Sequence, residues 1–173
     1  MKQAAGLGLF GLTLATAAVA HPHFNKTVTA TLPQNVEATI TYNTTPANET
    51  HAQNAKVGDF VTPRRPVLKL SANLRDEKRT LPAGEYTIGA IKTGEKDWVL
   101  ALYPGRIDRS ATPDATKAIR LDSMFATDKG TAEHMLIDIT PGSGKFEGKA
   151  VLTLHFGSLF LAGVLPGRAA VVD

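Results

Sequence analysis

Five histidines are the residues of this sequence best suited to binding a metal ion. The first of them, His21, directly follows Ala18-Val19-Ala20, the small-residue pattern at which a secretory signal is cut. A mature chain that begins at His21 offers both its free amine and its ring nitrogen to one transition-metal ion, copper above all. A copper site at the mature N terminus is therefore the most specific chemical hypothesis that the sequence supports.

A copper site of this kind needs another imidazole, because the His21 amine and ring supply only two donors. His23 is a poor partner, since the simple amino-terminal chelate also needs a deprotonated amide at position two, and Pro22 has no N–H. His51 in a polar segment and His155 in a predicted strand are better placed. The candidate metal ligands are therefore His21 with His51 or His155, and the other interpretation is that these are ordinary surface or hydrogen-bonded histidines.

Hydrolytic chemistry has less support, because no serine lies in a Gly-x-Ser-x-Gly elbow. Ser143, between Gly142 and Gly144, is typical of a turn. The carboxylates form no obvious acid and base pair, so the sequence assigns no catalytic residue. An envelope hydrolase would need polar residues that converge only in the folded chain.

Residues 1–20 have the organisation of a secretory signal peptide, with Lys2 at the start and an apolar run behind it. This run contains Gly6, Gly8 and Gly11 and falls short of the roughly 20 residues that a membrane span needs. We therefore predict a secreted or periplasmic protein with no membrane span after cleavage. Residues 21–173, about 150 residues, suit one domain.

Composition argues against several classes of protein. The sequence has no cysteine, so disulfides, thiolate metal sites and thiol nucleophiles are excluded. Its formal net charge is only +3, and the basic residues are scattered among acids instead of forming a stripe with aromatic residues. We expect no nucleic-acid partner.

Short β-rich runs separated by Gly, Pro and Asn predict an all-β fold. Between residues 36 and 42, apolar and polar side chains alternate, as they do in a half-buried strand. Seven or eight such runs favour a single-domain antiparallel β-sandwich or a jelly-roll-like barrel. The predicted strands cover residues 24–32, 36–42, 66–74, 97–103, 117–121, 134–140 and 150–165, and residues 81–91 are predicted to form a turn followed by another strand.

The segments between these strands complete the prediction. Residues 43–58 are predicted to form a long polar loop, and residues 92–96 the turn of the clearest hairpin. Trp98, the only tryptophan, shares a strand face with Leu100 and Leu102 and is assigned to the core. The continuous apolarity of residues 159–165 favours burial on both faces of the last strand.

One block of this sequence resembles a known family. Leu81-Pro82-Ala83-Gly84-Glu85-Tyr86-Thr87-Ile88, followed by Gly94-Glu95-Lys96-Asp97-Trp98-Val99-Leu100, is similar to the core of the bacterial proteins grouped as domain of unknown function 2911. Further agreement, in the same order, comes from Pro22-His23, from Ile40-Thr41-Tyr42 with Pro46, and from Leu152-Thr153-Leu154-His155-Phe156-Gly157. Residues 63–73 depart from the family pattern. The resemblance implies an exported β-sandwich-like domain of unassigned activity, and it transfers no catalytic residue.

The sequence therefore favours a non-enzymatic exported domain that binds a small ligand, an envelope polymer or another envelope protein. A copper-binding or redox protein that uses His21 is the alternative, and an envelope hydrolase is the second alternative. The first hypothesis requires no cofactor, whereas the copper hypothesis requires His21 to meet a distant histidine.

Overall fold

The computed structural model describes residues 23–32, 35–77 and 79–167. Strands dominate these residues, and the α-helix among them, α1, is short (Thr50–Asn54). The strands are β1 (Asn25–Leu32), β2 (Val36–Asn43), β3 (Phe60–Val61), β4 (Val67–Leu70), β5 (Leu74–Arg75), β6 (Thr80–Leu81), β7 (Gly84–Gly94), β8 (Asp97–Pro104), β9 (Ile119–Arg120), β10 (Asp122–Ala126), β11 (Ala132–Pro141), β12 (Ala150–Gly157) and β13 (Leu159–Leu165). Two short 3-10 turns, Ala115–Lys117 and Gly144–Phe146, complete the regular structure.

The strands form two main sheets, in which neighbouring strands pair antiparallel. The larger sheet has the order β1-β2-β4-β7-β8-β9, and β3 also pairs with β7. The smaller sheet has the order β10-β13-β12-β11. Strands β5 and β6 form a separate two-stranded ribbon.

Apolar side chains of the two sheets meet in one core. Along β2 the even-numbered positions from Val36 to Tyr42 are buried, and along β12 the even-numbered positions from Ala150 to Phe156 are buried. This two-residue alternation is what a sheet with one covered face requires. The structure confirms the predicted all-β fold with antiparallel sheets packed as a sandwich.

Backbone hydrogen bonds join the two sheets at two corners. The nitrogen of Leu121, next to β10, donates to the carbonyl of Leu100 in β8 at 2.9 Å. At another corner, the nitrogen of Met135 in β11 donates to the carbonyl of Thr45, just past β2, at 2.8 Å. The sandwich is therefore partly closed.

A second, smaller apolar cluster covers part of the outer face of the larger sheet. Phe60, Ile91 and Ala101 are buried there beneath half-buried residues that include Ile107 and Ala115. The ring of Phe60 lies so close to Gly89 that a Cβ at that position would overlap it. The glycine therefore permits the loop after β8 and the ring of Phe60 to cover this face.

Several local predictions differ from the structure. The predicted loop over residues 43–58 contains α1, and the predicted strand over residues 66–74 is interrupted after Leu70. Strand β7 continues to Gly94, so Lys92 lies in the strand and not in the turn. Burial on both faces of residues 159–165 is wrong, because Phe160, Ala162 and Val164 are only half-buried.

Candidate functional site

Helix α1 connects the two sheets at one end of the sandwich. Immediately before the helix, the carboxylate of Glu49 accepts a hydrogen bond from the backbone nitrogen of Ser158, in the turn between β12 and β13. Immediately after it, the carbonyl of Ala55 accepts a hydrogen bond of 2.8 Å from Nζ of Lys92 in β7. Ala52, between these two attachments, is buried against the core. Each sheet thus holds one end of the helix.

A cavity of about 1080 Å³ lies beside this helix; we call it the larger cavity. Its inner wall is apolar and comes from both sheets, through Ala90 and Trp98 of the larger sheet and Leu154, Phe156 and Leu161 of the smaller sheet. The cavity continues around β3 to the loop after β8. Ligand cavities in proteins commonly have volumes of roughly 300–1,000 Å³, so this one has room for a small organic molecule.

The rim of the larger cavity carries the charged and titratable residues His51, Asp59, Arg64 and Asp114. Both carboxylates are used within their own loops: Asp59 accepts a hydrogen bond from the nitrogen of Lys56 at 2.8 Å, and Asp114 accepts two from Thr116. The hydrogen bonds from the hydroxyl and backbone nitrogen of Thr116 lower the pKa of Asp114 below its ordinary value. The rim therefore presents preorganised polar groups around an apolar interior.

Backbone strain marks the part of the rim at Arg64. Arg64 and Arg65 both adopt the left-handed region, with φ of +55° and +50°. This region is unfavourable for residues with a Cβ and persists only where surrounding contacts hold it. The guanidinium of Arg65 supplies such contacts by donating to the carbonyls of Arg109 and Ala111, at 2.9 and 3.3 Å. The neighbouring Arg64 is exposed and lines the cavity at this turn.

Lys92 is a charged residue in the apolar space between the sheets. It has the same alternation as Tyr86, Ile88 and Ala90, whose side chains form the inner face of β7, and only 9% of its surface is exposed. Its ammonium lies 5.7 Å from the centroid of the Trp98 ring. The carbonyl of Ala55 is its single hydrogen-bond acceptor among the described residues, and no carboxylate of these residues forms an ion pair with it.

A smaller cavity of about 440 Å³ lies on the other side of α1. Lys92 and Glu49 line it together, and the exposed turn residues Glu95 and Lys96 form part of its edge. Trp98 lines both cavities, and its Nε1 makes no hydrogen bond within the part of the chain that the structure describes. Lys92 lines the smaller cavity and its ammonium bonds to Ala55 of the larger one, so Lys92 and Trp98 lie close to both cavities and have unused donors.

The predicted metal ligands are not brought together in the described residues. His51 lines the larger cavity, beside the inner face of the smaller sheet. His155 belongs to the outer face of that sheet, where its Nε2 lies 3.3 Å from the carbonyl of Gly130 and its ring packs edge-on against Phe160. His21 lies outside the described residues. No group of three or more metal-ligating side chains occurs in the described ranges, and the site with His21 stays a prediction.

Lys92 was missed because the sequence around it, Lys92-Thr93-Gly94-Glu95-Lys96, has the composition of a turn. The available signal was the alternation of Tyr86, Ile88 and Ala90, which places the next even-numbered residue on the same inner face. A lysine at such a position is unusual, since lysines are seldom buried without a partner. The assignment of Trp98 to the core is confirmed, with 7% of its surface exposed.

None of the helices in residues 23–32, 35–77 and 79–167 has both the length and the apolar character to cross a membrane. Comparison with family models, with curated proteins and with solved structures gives no match to this chain. The resemblance to domain of unknown function 2911 consequently stays an interpretation of the sequence.

Proposed function

We propose that this chain is an exported, non-enzymatic domain that binds a small, mainly apolar ligand in the larger cavity. The observation that carries the proposal is the cavity of about 1080 Å³ between the sheets, with an apolar interior and a polar rim. This combination is typical of small-molecule sites, in which apolar walls supply affinity and a few polar groups fix orientation. Export is supported by the signal-like organisation of residues 1–20.

The residues of the cavity favour binding over hydrolysis. His51 is the histidine of the rim, and it makes no hydrogen bond to a hydroxyl or carboxylate of the described residues. A nucleophile activated by histidine would need such a contact. Asp59 and Asp114 are engaged by backbone and threonine donors of their own loops, an arrangement that suits a structural role.

Energy transfer from Trp98 to a bound probe tests the proposal directly, because Trp98 is the only tryptophan and lines the cavity. The probe is the neutral dye N-phenyl-1-naphthylamine, which fluoresces in apolar surroundings. We expect saturable binding with a stoichiometry of one, dye emission on excitation of Trp98, and a corresponding loss of Trp98 emission.

Two variants locate the probe. Ala55→Phe places a ring at the half-buried edge of the larger cavity and should weaken binding at least tenfold, whereas Ala83→Phe places the same ring at an exposed position outside the cavity. Unchanged binding to Ala55→Phe, or the same loss in both variants, contradicts the location. Absence of saturable binding of the dye to the purified exported protein overturns the proposed function.

A further inference from the structure

The ammonium of Lys92 is largely buried and has no counter-ion among the described residues. Its side chain is more than nine-tenths buried, and a lysine ammonium carries three donors, of which the carbonyl of Ala55 uses one. The face of the Trp98 ring stabilises the charge through a cation–π contact, but it is not a conventional hydrogen-bond acceptor. Removing an ammonium from water is costly unless hydrogen bonds and an opposite charge replace the lost hydration.

On the basis of the proposed function, we infer that the ligand is an organic acid whose carboxylate binds Lys92, while its apolar body occupies the larger cavity. The two donors that Lys92 has left match the two oxygens of a carboxylate. The indole N–H of Trp98, which has no acceptor in the described residues, is a further donor at the same boundary. The ligand carboxylate then supplies the missing counter-charge.

The other charged residues of the smaller cavity do not replace this counter-charge. Glu95 and Lys96 are exposed at the turn between β7 and β8, where opposite charges in water largely cancel. Glu49 accepts the backbone N–H of Ser158 and forms no ion pair with Lys92. Lys92 is the deeply buried charge of this cavity, and its interaction with an anion is least weakened by solvent.

The apolar part of the ligand has a defined direction. Trp98 lines both cavities, and Ala55, which accepts the bond from Lys92, lines the larger one. In this inference the ligand passes Trp98, and its apolar remainder lies against Leu154 and Leu161 in the larger cavity. An apolar chain or ring of the ligand is covered there by both sheets.

Two probes that differ in one group test this inference: 4-phenylbutyrate and 4-phenylbutanol. Each is titrated into the purified exported protein while Trp98 emission is followed. We expect 4-phenylbutyrate to bind at least tenfold more tightly than 4-phenylbutanol, because a charged hydrogen bond to a buried ammonium is worth more than a neutral one. Equal binding of the two, or tighter binding of the alcohol, overturns the inference and leaves the ligand-binding function intact.

Variants identify the lysine responsible. Lys92→Met keeps the length of the side chain and should abolish the preference for the acid while alcohol binding changes less than threefold. Lys96→Met, at the exposed edge of the smaller cavity, is the matched control and should keep the preference. A preference that survives in Lys92→Met, or disappears only in Lys96→Met, contradicts the assignment.

Measurements on the unmodified protein test the inference even if the Lys92→Met variant fails to fold. The Nζ resonance of Lys92 should shift on addition of 4-phenylbutyrate and not on addition of 4-phenylbutanol. An unshifted Lys92 resonance at saturating acid overturns the inference. Binding of N-phenyl-1-naphthylamine without any binding of 4-phenylbutyrate does so too, whereas failure of all three probes instead overturns the proposed function.

Discussion

The carboxylate of Glu49 accepts a hydrogen bond from the backbone nitrogen of Ser158, 109 residues further along the chain. Gly157, next to Ser158, has φ of +64°, and a Cβ there would overlap the Glu49 side chain. The turn between β12 and β13 is therefore shaped to receive this carboxylate. Together with the bond from Lys92 to Ala55, it holds α1 over the boundary between the two cavities.

Glu49→Ala should lower the free energy of unfolding by about 1–3 kcal/mol, because the half-buried nitrogen of Ser158 loses its acceptor. Amide hydrogen exchange in α1 should accelerate more than exchange in the central strand β7. Chemical denaturation and hydrogen exchange measure the two effects. Glu95→Ala, at the exposed edge of the same cavity, is the control and should change stability by less than about 0.5 kcal/mol. Equal effects of the two substitutions would show that the Glu49 contact contributes nothing specific.

Two tyrosines offer a matched comparison of hydroxyl groups. The Tyr42 hydroxyl is buried and has no hydrogen-bond partner in the described residues, whereas the Tyr86 hydroxyl donates to the carbonyl of Pro82 at 2.6 Å. Tyr42→Phe should leave stability unchanged or raise it, and Tyr86→Phe should lower it by about 1 kcal/mol. Thermal unfolding of both variants checks the prediction. A larger loss in Tyr42→Phe would reveal a partner for that hydroxyl.

Burial raises the pKa of Tyr86 above its ordinary value of 10.0. The folded state thus favours the neutral phenol, so this contribution to stability is fully present below about pH 10 and is lost as the pH rises through the folded-state pKa. Urea unfolding between pH 9 and 11.5 should show a steeper loss of stability for the wild type than for Tyr86→Phe. Parallel pH profiles of the two proteins would contradict the prediction.

The copper hypothesis for His21 now has a sharper form. His51 lines the larger cavity and His155 belongs to the outer face of the smaller sheet, so we expect a copper site with His21 to use one of them and not both. Among the variants of the processed protein, either His51→Ala or His155→Ala should weaken Cu(II) binding, and the other should not. Calorimetry with electron spin resonance measures this binding. Adding one residue before His21 should remove it, and binding that survives the addition contradicts the N-terminal site.

The alternation of side chains predicted much of the fold. The positions from Val36 to Tyr42 and from Ala150 to Phe156 follow a two-residue period that can be recognised in the sequence. The predicted strand over residues 150–165 is nevertheless two strands, because the chain turns at Ser158. Helix α1 could not be predicted from the sequence, because five residues do not form a stable helix alone. It is held by Glu49 and Lys92, whose partners are distant in the sequence or assigned to another element.

The candidate site was less accessible to sequence reasoning than the fold. Its cavity depends on where Ala90 and Leu154, from different sheets, stand relative to α1, and no local pattern encodes that arrangement. The polar residues at positions 93–96 led to the assignment of Lys92 to a turn. Lys92 nevertheless continues the alternation that places Ala90 on the inner face of β7. The histidines were candidate metal ligands because of their residue type alone, and the structure places His51 beside the inner face of the smaller sheet and His155 on its outer face.

The two sheets come from separate stretches of the chain: every described strand of the larger sheet lies before residue 121, and every strand of the smaller sheet lies after it. During synthesis the larger sheet is complete before the smaller one has emerged. Its inner face, with Ile40, Leu68 and Ile88, then has nothing to pack against and is prone to aggregate. Residues 122–165 cover this inner face in the folded domain, so a chain truncated before them should be insoluble.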